Sequence, residues 1–263
     1  MFKANYHTHH KLCKHAIGDA NNYVKEAVRL NFSHLGFSDH APSHTIDDQD
    51  VRMSWSDLSL YINDIKHAQG KYKAMIDVHI GLEVEFYDEN RDYYKELLNE
   101  VDYLILGQHY INVDPIKNPL QSCFALSKGK DIIQYAKTLE GALKTGYFSL
   151  IAHPDLYMCG YNDWDQTAIE AANIICKASK TYNIPLEFNA NGIRRGLITT
   201  NEGLRYPYPH NKFWEIAKSY DCEVLLSSDC HKPDLLYDDA VKKAESIIES
   251  LQLHQITYLN FKR

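Results

Sequence analysis

Short apolar runs alternate with amphipathic stretches of helical length along this chain, and six of seven runs are followed by a histidine or an acid. The strand candidates are Phe2–Tyr6, Leu35–Ser38, Val78–Val84, Tyr103–Gly107, Phe148–Ala152, Leu186–Asn189 and Glu223–Ser227. Helix candidates lie between or after them: Asp19–Leu30, Ser56–Gln69, Arg91–Glu100, Lys130–Thr145, Asp165–Thr181, Asn211–Ser219 and Pro233–Leu251, with Asp19 and Ser56 as N-caps. Such alternation argues βα units and a mostly parallel sheet. Ile256–Phe261 is a possible extra strand.

The residues at the run ends argue for closure of that sheet. They are His7, His9, His15, His40, Glu83, His109, His153, Asp229 and His231. In a barrel, the ends of all strands face one mouth. In an open sheet the same residues would be spread too widely to share a site. His7-Thr8-His9 and Asp229-Cys230-His231 each place two side chains on one strand face, because residues two apart point the same way. Two imidazoles on one strand, and an acid with an imidazole on another, suit ligands converging on a metal. Nine such residues exceed the need of one ion, which points to a multinuclear metal hydrolase. Imidazole-rich ligation suits Zn, Fe or Mn and disfavours Mg or Ca.

The bulk numbers narrow the rest. At 263 residues the chain fits one α/β barrel domain, residues 1–263, since such barrels commonly run to about 250. Seven candidate strands suggest a shortened or distorted barrel. A formal charge of −7 disfavours nucleic acid and anionic membrane as partners. No run approaches about 18 apolar residues, and no signal-peptide pattern follows Met1, so a cytoplasmic location is expected. The six cysteines, without a CxxC, are then expected to be reduced thiols. The oligomeric state is left open. Two connections, 41–55 and 110–129, are longer than a barrel needs and read as walls or lids of the site.

The motifs themselves resemble the PHP (polymerase and histidinol phosphatase) family. Tyr6-His7-Thr8-His9 with His15, Ser38-Asp39-His40 and Gly81-Leu82-Glu83-Val84-Glu85 resemble its first three motifs. Gly107-Gln108-His109, Ala152-His153-Pro154-Asp155 and Ser228-Asp229-Cys230-His231 resemble the remaining ligand motifs. Glu187-Phe188-Asn189-Ala190-Asn191-Gly192-Ile193-Arg194 resembles a segment of the histidinol-phosphatase members. The motifs occur in family order from residue 7 to residue 231. Departures are His10 where the family often has Ser, Cys13-Lys14-His15-Ala16 for Cys-Pro-His-Gly, and Cys230 for Ala.

The resemblance implies an α/β fold, a distorted (β/α)7 barrel with its metal site at the C-terminal ends of the strands. It implies three divalent metal ions. One would take His7, His9, Glu83 and Asp229; a second would share Glu83 and add His109 and His153; a third would take His15, His40 and His231. It further implies hydrolysis of a small phosphate ester, L-histidinol phosphate, in histidine biosynthesis, with PHP-type hydrolysis of nucleotides or other small phosphate esters as the alternative. Three divalent ions with two carboxylates and one hydroxide leave a charge of about +3, which suits a phosphate dianion better than a neutral ester. The candidate acids for the leaving group are Asp229, His231 and Asp39, with water on a metal as the alternative. Arg194, or else Arg195, is the candidate phosphate contact, because a planar donor fork matches phosphate oxygens.

The remaining residues carry weaker expectations. Glu85 is a ligand, an ammonium partner or a rim carboxylate. Asp39 and Asp155 either fix an imidazole tautomer or cap loops. Cys13 and Cys230 read as buried filler. Trp55, Tyr110 and Tyr161 wall a substrate ring or belong to the core. His10, His34, His44, His67, His79, His210 and His254 are expected to be structural or superficial. A non-catalytic accessory domain and an amidohydrolase-like enzyme are less consistent with a full ligand set in which Glu83 fills the bridge.

Overall fold

The protein's structure, a computed structural model, describes residues 3–43, 45–46, 48–112 and 120–262. The strands are β1 (Ala4–Asn5), β2 (His34–Phe37), β3 (Asp77–Val84), β4 (Tyr103–Leu106), β5 (Tyr110–Asn112), β6 (Leu120–Ser122), β7 (Leu150–Ile151), β8 (Leu186–Asn189), β9 (Ile198–Thr200), β10 (Gly203–Arg205), β11 (Glu223–Ser227) and β12 (His254–Ile256). The α-helices are α1 (Ala20–Arg29), α2 (Leu58–Tyr72), α3 (Arg91–Glu100), α4 (Gly129–Leu143), α5 (Gln166–Tyr182), α6 (Asn191–Arg194), α7 (Asn211–Ser219) and α8 (Asp239–Leu251).

Eight strands form one parallel sheet in the order β1-β2-β3-β4-β7-β8-β11-β12. The sheet curls, and its mouth is joined by a parallel bridge between Thr8, beyond β1, and Cys230, beyond β11. The His9 N–H donates to the Cys230 carbonyl at 3.0 Å across that seam. All seven expected strands therefore exist and surround one interior. The eighth begins at His254, two residues before the expected run, and pairs with the lower half of β11. Leu259 and Phe261, expected on that strand, instead pack into the interior cluster.

Alternation along the strands divides two cores. Outward residues such as Phe37, Leu82, Leu106, Phe188 and Leu226 pack in the large cluster that also holds the buried faces of α1, α4 and α5. Inward residues make a smaller cluster around Tyr103, Ile105, Leu150 and Leu225. Because both faces are covered, the strands read as continuous apolar runs. Toward the C-terminal ends the inward positions carry Glu83, Glu187 and Asn189, while His79, lower on the same face of β3, packs on Tyr6 and Phe261.

Helix starts follow local chemistry. Asp19 caps α1, accepting the Asn22 N–H at 3.0 Å, while Asn22 returns a bond to the Asp19 N–H. Ser56 does not cap α2: Ser54 and Asp57 bond one another across a 3₁₀ turn at Trp55–Asp57, and α2 follows. Pro233 opens a separate 3₁₀ turn, and α8 starts six residues later, capped by Asp238. Two antiparallel hairpins, β5–β6 and β9–β10, were not expected. No helix among the described residues is long and apolar enough to cross a membrane.

Tyr103 fills the barrel interior beneath the mouth. Its hydroxyl donates to the Tyr6 carbonyl at 2.7 Å and lies 3.1 Å from that of Phe37. A methyl group at Gly81 would lie 2.4 Å from the Tyr103 ring, so the neighbouring strand must carry glycine there. Gly81→Ala is expected to destabilise the fold by about 1–3 kcal/mol through overpacking. Urea unfolding measures this, and an unchanged midpoint would show that the ring can move aside.

Candidate metal centre

Glu83 is the hub of the mouth. Its Oε2 lies 3.4 Å from His7 Nε2, 3.4 Å from His9 Nε2 and 3.0 Å from His40 Nδ1. Its Oε1 lies 3.0 Å from His153 Nε2 and 3.5 Å from His109 Nε2. Asp229 Oδ1 faces His7, His9 and His231 at 3.5, 3.3 and 3.8 Å. The His231 ring stacks on His9 at 4.3 Å and meets His15 at 4.5 Å, and His15 stacks on His40 at 5.5 Å. All nine residues expected at the strand ends thus meet in one place. Three of the nine at a time — His7, His9 and Asp229; His40, Glu83 and His109; His9, His40 and His231 — offer ligand atoms within 4.8 Å of one another.

Hydrogen bonds behind the cluster aim these groups. His7 Nδ1 meets Glu187 Oε1 at 2.7 Å, and His109 Nδ1 meets Glu85 Oε1 at 3.1 Å. His15 Nδ1 meets the Cys13 carbonyl at 2.7 Å. A proton held on Nδ1 by an acceptor leaves the Nε2 lone pair for the mouth. Glu187 Oε2 also accepts the His153 backbone N–H at 2.8 Å. Asn189 and Asn191 donate to Asp229 Oδ2 at 3.1 and 3.2 Å, fixing that carboxylate's rotation. Gly107 is required by close approach, because a methyl there would lie 2.0 Å from Glu83 Oε1. His153 and Asp229 adopt φ of 31° and 45°, conformations that L-residues rarely hold and that concentrate at functional sites.

The protonation states suit a cation. Burial opposes ionisation of Glu83 and Asp229, and the surrounding imidazoles overcome it, holding both well below the usual carboxylate range. Burial pushes His40 down to about 3 and His231 down to about 2, with neighbouring imidazoles adding to the effect on His231. Burial likewise lowers His7, but Glu187, Asp229 and Glu83 outweigh it and raise that imidazole well above its ordinary value. His231 Nε2 is buried with no hydrogen-bond partner. Ionised carboxylates, the neutral imidazoles of His40 and His231, and an orphaned buried nitrogen fit an N- and O-liganded divalent ion, which would displace the proton from His7.

The mouth opens into a cavity of about 240 Å³. Asp229 and His231 line it; Asp39 does not. The Asp39 carboxylate is fully buried and accepts the His10 backbone N–H at 2.8 Å and faces His10 Nδ1 at 2.7 Å. Arg195 lines the cavity, stacked 4.8 Å over Phe124, with Nε 3.2 Å from the Tyr208 hydroxyl. Arg194 turns the other way: its guanidinium meets Asp238 at 2.6 and 3.1 Å, the Ser228 carbonyl at 2.5 Å and the Leu235 carbonyl at 3.0 Å. One residue of helical rotation, about 100°, separates the two arginines. Tyr110 lines the cavity, whereas Trp55 and Tyr161 are not among its lining residues. His44 lies outside the described residues, as does the 113–119 part of the second long connection.

Sequence reasoning did not single out Arg52, Phe124, Asn191 or Tyr208, which also line the cavity. Glu187 was noted only within a motif. The two-residue alternation of β8 would have placed Glu187 and Asn189 on the inward face.

A family model described as PHP domain matches residues 5–191. A Deinococcus radiodurans protein named "Probable histidinol-phosphatase" is 28% identical over 252 residues, covering 92% of each chain. A Bacillus subtilis protein named "Histidinol-phosphatase" is 27% identical, covering 88% of this chain and 94% of its own. A Lactococcus lactis structure, a histidinol phosphate phosphatase complexed with Zn, L-histidinol and phosphate, superposes with a TM-score of 0.73 at 16% identity, covering 98% of both chains.

Asp155, buried two residues beyond His153, generates a pH dependence. Burial pushes its carboxyl up to about 7, although it accepts the His210 N–H at 2.6 Å. In the unfolded chain it titrates near about 4. Between those values the folded state keeps a proton that the unfolded state has released. Stability from this group therefore falls as pH rises from about 4 to about 7 and stays low above. In metal-free protein, Asp155→Asn is expected to reduce the loss of stability between pH 5 and pH 8 by on the order of 2–4 kcal/mol. Urea unfolding at the two pH values checks it; an equal loss in parent and variant would show that Asp155 is already ionised at the lower one.

Proposed function

We propose the following reading for a chain that belongs to the PHP domain family: it is a metal-dependent phosphomonoesterase that hydrolyses L-histidinol phosphate to L-histidinol and phosphate. The observation that carries it is Glu83, whose two oxygens face different sets of imidazoles beside an arginine-bearing cavity. The curated names of the relatives and the Zn, L-histidinol and phosphate of the Lactococcus structure support the same substrate. The reading takes residues 1–263 as one catalytic domain.

In this reading three divalent ions, zinc or else manganese or iron, sit among the nine residues. His7, His9, Glu83 and Asp229 would hold one, Glu83 with His109 and His153 a second, and His15, His40 and His231 the third. Bound there, the ions supply positive charge for the phosphoryl oxygens and lower the pKa of water toward about 7. The protein's own groups do the positioning. Arg195 presents its fork to the phosphate, its plane held by Phe124 and Tyr208. Glu187 and Glu85 keep the Nε2 atoms of His7 and His109 forward. Asp229, held ionised, and His231, held neutral, line the cavity as ligands and carry no proton to give, so the leaving-group proton would come from water at the mouth. Asp39 acts by holding His10 behind them.

Phosphate release from L-histidinol phosphate, p-nitrophenyl phosphate and a nucleotide panel, on protein of known metal content, tests the reading. A preference of several orders in kcat/KM for L-histidinol phosphate, lost on chelation, is expected. Equal or better turnover of nucleotides would replace the substrate and keep the enzyme class. Arg195→Ala is expected to raise KM about tenfold or more with metal content unchanged, as removal of a charge-assisted contact costs about 1.5–3 kcal/mol. Arg194→Ala is expected to leave KM in place and lower stability by about 1–3 kcal/mol, because its partners are structural. The opposite pattern would exchange the two roles.

A further inference from the structure

A buried guanidinium on the connection between β2 and α2 has no part in the reading so far. Arg52 is 4% exposed. Its Nε donates to Asp48 Oδ1 at 2.6 Å, its Nη2 to Asp48 Oδ2 at 3.1 Å and its Nη1 to the Ala41 carbonyl at 2.8 Å, all within that connection. The same Nη2 reaches across to Glu85 Oε1, on the chain just past β3, at 2.9 Å. That one oxygen also meets His109 Nδ1 at 3.1 Å. The other nitrogen of the ring, Nε2, faces Glu83 Oε1 at 3.5 Å.

The energetics make this contact more than a packing detail. Glu85 is itself 4% exposed. A buried carboxylate deprived of its partner is costly, so it turns toward water or toward another donor. Either response withdraws the acceptor that fixes the His109 proton on Nδ1. Arg52, Asp48 and Val51 also line the cavity, so the same contact seats residues 48–52 against it.

We propose that Arg52 is a positioning residue, which seats residues 48–52 on the cavity and, through the shared oxygen of Glu85, fixes the His109 imidazole with Nε2 toward Glu83. Seating of that segment and metal binding on the His109 side are then one coupled equilibrium, and each favours the other by the same factor. The inference rests on the metal reading above.

Zinc titration of metal-free protein by calorimetry tests it, using the parent, Arg52→Met, Glu85→Gln, the double variant and Arg52→Lys. Arg52→Met and Glu85→Gln are each expected to weaken one zinc-binding step by about 10- to 100-fold, the usual effect of losing a ligand's orienting partner. The double variant is expected to lose no more than the worse single one, because both act through one contact. Arg52→Lys keeps a cation beside Glu85 but loses the fork and falls between. Trypsin supplies a second readout: zinc should slow cleavage at the Arg52–Met53 bond in the parent and protect it less in Glu85→Gln. Parent affinities in a folded Arg52→Met, or losses that multiply in the double variant, overturn the inference and leave the metal reading standing. If Arg52→Met does not fold, Arg52→Lys and Glu85→Gln decide it by the same criteria. A parent that takes up no zinc overturns the metal reading and this inference with it.

Discussion

Glu83 stands inside the barrel, 1% exposed, with imidazole nitrogens around both of its oxygens, and the rest of the mouth is arranged about that carboxylate. Its strand, β3, is the longest of the sheet and pairs along its length with β2 and β4. That pairing puts the carboxylate at a fixed height. Gly107 on the neighbouring strand leaves the space for it. A buried acid is expensive unless charge surrounds it, and here the ring of histidines supplies the compensation that water would otherwise provide. Once it gives up those protons the same ring is a set of lone pairs, so the arrangement that makes the acid tolerable also suits a cation.

A shell of hydrogen bonds orients the side chains gathered there. Glu187 restrains His7 through its side chain and His153 through its backbone, and it is fully buried. Asn189 and Asn191 restrain Asp229, whose backbone sits in the left-handed region together with that of His153. Strain at two mouth residues persists because the bridge from Thr8 to Cys230 and the sheet below over-determine the chain there. Stability contributed by Tyr103 and the outer core therefore offsets geometry that is unfavourable locally.

Much of this was legible in the residues. The seven apolar runs and the histidines and acids at their ends were visible because parallel strands covered on both faces are nearly all apolar, and polar residues at their C-terminal ends stand out. What was hidden depends on long-range packing. Whether Arg194 or Arg195 faces the cavity depends on the rotation of α6, a four-residue helix whose sequence shows no amphipathic period. Asp39 stayed open between a proton donor, an imidazole partner and a loop cap, because the imidazole that it meets, His10, lies 29 residues earlier in the chain. Arg52 gave no signal, since an arginine in a long polar connection reads as solvated until the fold brings Glu85 beneath it. The start of α8 was misplaced because Pro233 is a good first helical residue, yet Asp238 supplies the cap that the helix uses.

The sharing of Glu83 between two ions is the central claim, and metal content per chain in Glu83→Ala against the parent tests it most directly. Both proteins would be loaded with zinc, freed of excess and analysed by mass spectrometry after their folding is confirmed by circular dichroism. The account predicts that the variant loses more than one ion relative to the parent, because a single carboxylate serves both sides of the cluster. A folded variant that keeps the parent's full complement, or gives up a single ion, would contradict it.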